Sequence, residues 1–204
     1  ELRESEARFR GIFEQAAVGM IHVASNGQFL KANQRFCEIT GYTEQEILGY
    51  TFQDITHPDD LNMQRQARQR VLDGETSNYQ IEKRYVRKDG TIIWVNLTVA
   101  LIRDSSDEPD YLVSVIEDIT EQKLAENKIR KLSHAVEQSS STILITDTKG
   151  NIEYANSEFT RLTGYSLEET VGKTPRILKS GKTPPEVLKE LWETIKSGNE
   201  WRGE

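Results

Sequence analysis

One cysteine, Cys37, is all that 204 residues contain, which excludes a disulfide framework and a cysteine-built zinc site. Such sparing use of thiols fits a reducing compartment, and we expect a cytoplasmic chain. Only five residues are proline, so collagen-like and low-complexity readings fail. No apolar run approaches the ~20 residues of a membrane span, and the opening ELRESEARFR is charged throughout, unlike a signal peptide. No membrane contact is therefore expected of these residues. Twenty-six basic residues stand against 33 acidic ones, a net charge of −7 with no basic patch, so nucleic acid is not an expected partner. A nucleotide-binding glycine-rich loop and a nucleophile–base constellation are missing too, and no catalytic or metal-binding residue is assigned. What remains, 36% apolar and 29% charged, suits a globular protein of one large domain, or of one small domain and most of a second.

An internal repeat decides between these. Gly27, Ala32-Asn33, Phe36, Thr40-Gly41-Tyr42, Glu46, Gly49 and Thr51 recur as Gly150, Ala155-Asn156, Phe159, Thr163-Gly164-Tyr165, Glu169, Gly172 and Thr174. Every pair is offset by 123 residues without a gap, too long a period for a solenoid, so these are tandem copies of one domain.

Each copy reads from its local pattern. Met20–Val23 and Gln28–Ala32 flank Ser25-Asn26-Gly27, which predicts a hairpin. Phe36, Ile39 and Thr40 predict a short helix closed by Gly41, and a second runs from an N-cap at Thr43 to Leu48. His57-Pro58-Asp59-Asp60 opens a longer helix to about Leu72, since proline and carboxylates suit a first turn. Tyr79–Arg87, Thr91–Ile102 and Tyr111–Glu117 then alternate as strands. Two strands, several short helices and three strands make an α+β fold, an antiparallel sheet with helices gathered on one face.

The series AN-x-x-F-x-x-x-TGY-x-x-x-E-x-x-G, then HPDD, then RKDG followed by Trp94, resembles the PAS sensor domain and its C-terminal PAC segment. The likeness covers residues 10–120 completely and 133–204 partially. It implies two PAS folds, each a five-stranded antiparallel sheet curved around a pocket, that sense small molecules, redox state or light for an output domain on the same polypeptide. We expect an N-terminal amphipathic helix over 1–15, a first PAS with PAC over 16–118, a linker over 119–138 and an incomplete second PAS over 139–204. Shifting the end of the first copy's last strand by the repeat offset places its counterpart near position 241, and on this expectation the second copy lacks the rest of its sheet.

Asp118-Ile119-Thr120 resembles the motif at which such domains hand over to an output helix, and these three residues are the expected signal relay. Asp118 with Glu121 reads as a capping-box-like start, with Asp where Ser or Thr is usual. Ala125, Ile129, Leu132 and Val136 follow at spacings of 4, 3 and 4, a coiled-coil-like seam that predicts a homodimer, or else a stripe packed on its own domain. Leu2, Ser5, Phe9, Ile12 and Ala16 form a similar stripe.

Light-sensing relatives carry a flavin-reactive cysteine after the TGY helix. The matching stretches, Tyr50–Gln53 and Lys173–Arg176, have none, and Cys37 reads as a packed thiol. His22 and His57 read as structural rather than haem-ligating, and Ala135-Val136-Glu137 after His134 departs from the phospho-acceptor box of histidine kinases. From Thr174 to Glu204 the second copy resembles the flavin-binding redox sensors of nitrogen-fixation and methane-oxidation regulators. That resemblance implies FAD beside Trp192, with Phe159, Ile145, Ile177 and Leu188 around it, whereas the alternative makes Trp192 a core residue. In the first copy Phe36, Phe52 and Trp94, with Ile55, Val71, Val113 and Val115, are the candidate pocket lining. None is charged, which points to no ligand class and to a packed relay domain. The whole reads as the sensory relay region of a signalling protein, a sensor histidine kinase in this resemblance. The alternative is a ligand-free dimerisation module regulating a nucleotide cyclase or a transcription factor.

Overall fold

A computed structural model describes residues 2–178 and 183–203, apart from the side chains of residues 2, 3 and 5. The stretch 179–182 of the second copy's motif, Glu204, and the Leu2 and Ser5 side chains of the N-terminal stripe therefore lie outside the described residues. The chain divides into two compact units, up to Glu126 and from Asn127.

The first unit opens with α1 (Leu2–Glu14) and the hairpin β1 (Gly19–Ala24) and β2 (Phe29–Ala32). Three short helices follow: α2 (Gln34–Thr40), α3 (Glu44–Ile47) and α4 (Phe52–Ile55). Their boundaries are chemical. Asn33 caps α2, Gly41 ends it at φ 78°, and Thr43 with Glu46 completes a capping box on α3. A 3₁₀ turn at Pro58–Asp60 leads into α5 (Leu61–Leu72), so the proline opens a separate tighter turn rather than the long helix itself. Three long strands complete the unit: β3 (Asn78–Val86), β4 (Ile92–Arg103) and β5 (Pro109–Asp118). The sheet is antiparallel in the order β2-β1-β5-β4-β3, which puts the last strand at its centre.

Strand alternation divides the sheet into two faces. Ile21 and Val23, Leu112 and Ile116, and Ile93, Val95, Leu97 and Val99 are buried with Phe29, Phe36, Ile39, Ile47, Phe52, Ile55 and Val71 in one core. This corrects the expected lining at three positions. Trp94, Val113 and Val115 alternate with those buried residues and stand on the opposite face, because an odd step along a strand reverses the side chain. A stretch such as Tyr-Leu-Val-Ser-Val-Ile is apolar on both faces, so its pattern alone does not say which face is the core.

The linker helix α6 spans Thr120–Glu137, with the division between the units inside it. The second unit continues with β6 (Leu144–Thr146), β7 (Ile152–Ala155), α7 (Ser157–Thr163) and α8 (Leu167–Thr170). A 3₁₀ turn at Pro175–Leu178 and α9 (Pro185–Lys196) follow. The unit repeats the hairpin, the Asn cap, the glycine stop at Gly164 and a capping box, here Ser166 with Glu169. Among the described residues no helix is long and apolar enough to cross a membrane, and no group of three or more His, Cys, Asp or Glu could hold a metal.

Candidate functional site

The repeat's asparagine has an unexpected task. Asn33, fully buried, accepts from Met20 N (2.8 Å) and Phe36 N (2.9 Å) and donates to Phe13 O (2.9 Å) and Val18 O (3.0 Å). One amide thereby ties the last turn of α1, the start of β1 and the N-terminus of α2. Asn156 makes the same four bonds 123 residues on. It accepts from Ile143 N (2.9 Å) and Phe159 N (3.2 Å) and donates to Val136 O (3.1 Å) and Ser141 O (2.9 Å). Both amides use their full capacity, two bonds at the oxygen and two at the nitrogen. The helix held by Asn156 is α6. Glu137, in its last turn, accepts from the Tyr154 hydroxyl and from Ser157 N, and these bonds hold its carboxyl below the ordinary range.

The other end of α6 is held in the first unit. Asp118 Oδ1 accepts from Thr120 N (2.9 Å), and Asp118 pairs with Arg87 (3.4 Å). This is an aspartate turn two residues long, not the expected box with Glu121. Thr120 Oγ1 accepts from Trp94 N (3.0 Å), Ile119 N donates to Trp94 O (3.0 Å), and Ile119 is buried. Trp94, placed by sequence in the pocket, thus belongs to this junction, with Arg84 and Lys123 over its ring at 5.6 and 5.7 Å. Arg84 also binds Asp60 through its backbone N, Nε and Nη2, which lowers that carboxyl, while Lys88 pairs with Glu46 (2.6 Å). The HPDD motif is thus pinned to β3, and the RKDG turn to α3. Between the anchors, Ile129 and Leu132 of the expected seam are 67% and 57% exposed, and Val136 is half-buried. In α1, Phe9 and Ile12 are exposed while Phe13, outside the expected stripe, is fully buried with its ring edge-on to His22 at 5.3 Å.

Between sheet and helices the first unit holds a half-open cavity of about 20 Å³. Phe52 lines it, whereas Phe36 is sealed in the core against Phe29 and Tyr85. The lining also includes Gln64, Arg68, Tyr79 and Ser114, none of them singled out by sequence. Burial pushes the Tyr79 phenol up to about 12. Behind Gln64 lies a fully buried lysine. Lys83 Nζ donates to Gln64 Oε1 (2.6 Å) and Thr56 Oγ1 (2.8 Å), stands 4.2 Å from the Tyr85 ring centre, and burial drives its pKa well below the usual value. A polar residue at a core-facing strand position was the available signal, but it needs the register to be read.

In the second unit Phe159 is fully buried, and Ile177, Leu188 and Trp192 are half-buried. Ile145 pairs with Tyr154 on the face opposite Leu144, Thr146, Ile152 and Ala155, and is half exposed, so it does not join the others. A Cβ built on Gly150 would lie 2.6 Å from the Trp192 ring, so the indole rests against the hairpin turn. These apolar surfaces suit a flat ring system, with Leu188 and Trp192 one turn apart on α9. The other four candidates offer apolar surface and no side-chain carboxylate or amide.

The PAS fold family matches residues 29–116 and again 130–204. A probable diguanylate cyclase, DgcE, of Escherichia coli (strain K12) is 38% identical over 66% of this chain and 12% of its own length. The sensor histidine kinase TmoS of Ectopseudomonas mendocina is 33% identical over 68% of this chain and 14% of its own. A nitrogen fixation regulatory protein of Klebsiella pneumoniae is 46% identical over 69 residues, 34% of this chain and 14% of its own. The chain matches only about an eighth to a seventh of these relatives' lengths.

Proposed function

The chain belongs to the PAS family, with two PAS domains in tandem, and from that premise we propose that it senses a small ligand or redox state and relays the result through a dimeric helix, α6. The observation that carries this reading is the helix itself. Its first turn is bonded to Trp94 and Asp118 and its last turn to Asn156, so a displacement at either anchor loads the helix. Ile129 and Leu132 stand in solvent between the anchors, as a seam awaiting a second copy requires. The relay needs two discrete arrangements of α6, each preferred by one state of the sensor.

The flavin belongs to the second domain in this reading, beside Trp192 with Leu188, Ile177 and Phe159, and would supply two-electron redox chemistry when bound. Identity of 46% to a nitrogen fixation regulatory protein supports it. Reconstitution with FAD tests it: a visible flavin band retained after gel filtration and lost in Trp192→Ala is expected, and a colourless protein contradicts it. The output domain is of the histidine kinase class, on the same polypeptide, in a cytoplasmic protein. Likeness to a probable diguanylate cyclase favours a cyclase as the second reading. Sedimentation tests the dimer, which should dissociate in the Ile129→Glu, Leu132→Glu double variant. A wild-type chain that is monomeric at every concentration overturns it.

A further inference from the structure

The first domain's cavity was expected to be apolar, yet three hydrogen-bond donors border it without acceptors. The buried Nε of Arg68 has no partner. Ser114, 3% exposed on the core face of central β5, makes no side-chain hydrogen bond among the described residues. The Tyr79 hydroxyl makes no side-chain hydrogen bond among the described residues, and Gln64 Oε1, on the same cavity, is taken up by Lys83 and Thr56. Arg68 Nη2 donates to the carbonyls of Ala24 and Ser25, and its guanidinium lies over the Phe52 ring, but it forms no ion pair among the described residues.

A water oxygen accepts two hydrogen bonds and carries no charge. Three donors, one of them on an unpaired, half-buried cation, call for more lone pairs and a negative charge, and a carboxylate offers both in about four acceptor positions. We propose that this cavity binds a small oxyanion of the formate or acetate class, gripped by Arg68 Nε, Ser114 Oγ and the Tyr79 hydroxyl. Burial disfavours the bare Arg68 charge, and an anion beside it relieves that cost. The volume of about 20 Å³ sets the size rule. Formate needs little adjustment, whereas a longer acid requires Arg68 to leave the Ala24 and Ser25 carbonyls. Arg68 is thereby both ligand and lid, and its release would report occupancy to the β1–β2 turn.

This inference deepens the reading of the chain as a sensor and is tested without reference to the helix. The full chain, ¹⁵N-labelled, is titrated with sodium formate, acetate and propionate against sodium chloride at equal ionic strength, with formamide as neutral control. Saturable shifts at Ser114 and its strand neighbours Ile21 and Val99 are expected, with affinity falling from formate to propionate. Arg68→Lys, which keeps the charge but not the Nε–H, should weaken formate roughly tenfold, as loss of one charge-assisted hydrogen bond does. Ser114→Ala, small and buried, should weaken it at least about threefold while the fold, read from the same spectrum, is kept. No saturable shift with any acid, equal binding of formamide, or indifference to both variants overturns the site. Failure here leaves the α6 relay standing, and loss of the dimer leaves the binding standing.

Discussion

The two domains share one clamp and cover their hairpins differently. In both, a buried asparagine binds the preceding helix, the first strand and the next helix through the same four hydrogen bonds. In both, a turn glycine at positive φ, Gly27 at 97° and Gly150 at 86°, is crowded by an aromatic ring. The ring comes from α4 in the first domain, as Phe52 beneath Arg68, and from α9 in the second, as Trp192. What is repeated is thus the link from helix to sheet, and what varies is the lid over the space between them. On the proposed function, transmission would belong to the repeated part and ligand choice to the variable part.

The largest expected effect strikes the repeated part. Asn33→Ala and Asn156→Ala each leave backbone groups unsatisfied inside a domain and should cost about 3 kcal/mol or more. Hydrogen exchange should show the loss confined to the mutated domain; a small effect in one domain only would break the equivalence. The turn glycines come next. Gly27→Ala and Gly150→Ala meet both a left-handed φ and a ring 2.8 and 2.6 Å from the new Cβ, and should cost about 2 kcal/mol in chemical denaturation. Gly90→Ala, at φ 84° with nothing within 4 Å, should cost about half as much, since only the backbone term remains.

A pH effect should separate the domains. Lys83 is neutral more readily in the folded first domain than in the unfolded chain, so the unfolded state binds more protons between its lowered pKa and 10.5. Wild-type stability should therefore rise with pH towards that value relative to Lys83→Met, and level off at its lower value once pH drops below the folded pKa. Parallel pH profiles of the two proteins would show that the amine does not titrate on unfolding. The smallest effect is again symmetric: Thr43→Ala and Ser166→Ala each remove a capping-box hydroxyl and should cost about 1 kcal/mol in thermal unfolding.

Much of this was legible in the sequence because short-range chemistry sets it. The cap at Thr43, the glycine stops and the Asn-Gly turn follow from local backbone needs, and the order of elements followed with them. The facing of long strands was not legible. Trp94, Val113 and Val115 lie in runs apolar on both faces, and only pairing of β5 between β1 and β4 shows that Ser114 looks inward. Ile145 misled for the same reason. Arg68 and Lys83 drew no reading of their own, since an isolated basic residue gives no hint of a buried partner such as Gln64. Asn33 and Asn156 were conspicuous as a repeated motif, but their role appears only when carbonyls 15 and 20 residues away are brought to one amide.

The central claim, that α6 is a relay seam shared by two copies of the chain, is tested most directly by disulfide trapping. Single cysteines are placed at each position from 121 to 138 in a Cys37→Ser background, and cross-linking is measured in the full chain. Maxima are expected at Ala125, Ile129, Leu132 and Val136, recurring every three or four residues, with the pattern shifting when the sensor is loaded. A flat profile, or maxima on the face opposite Ile129 and Leu132, would contradict it.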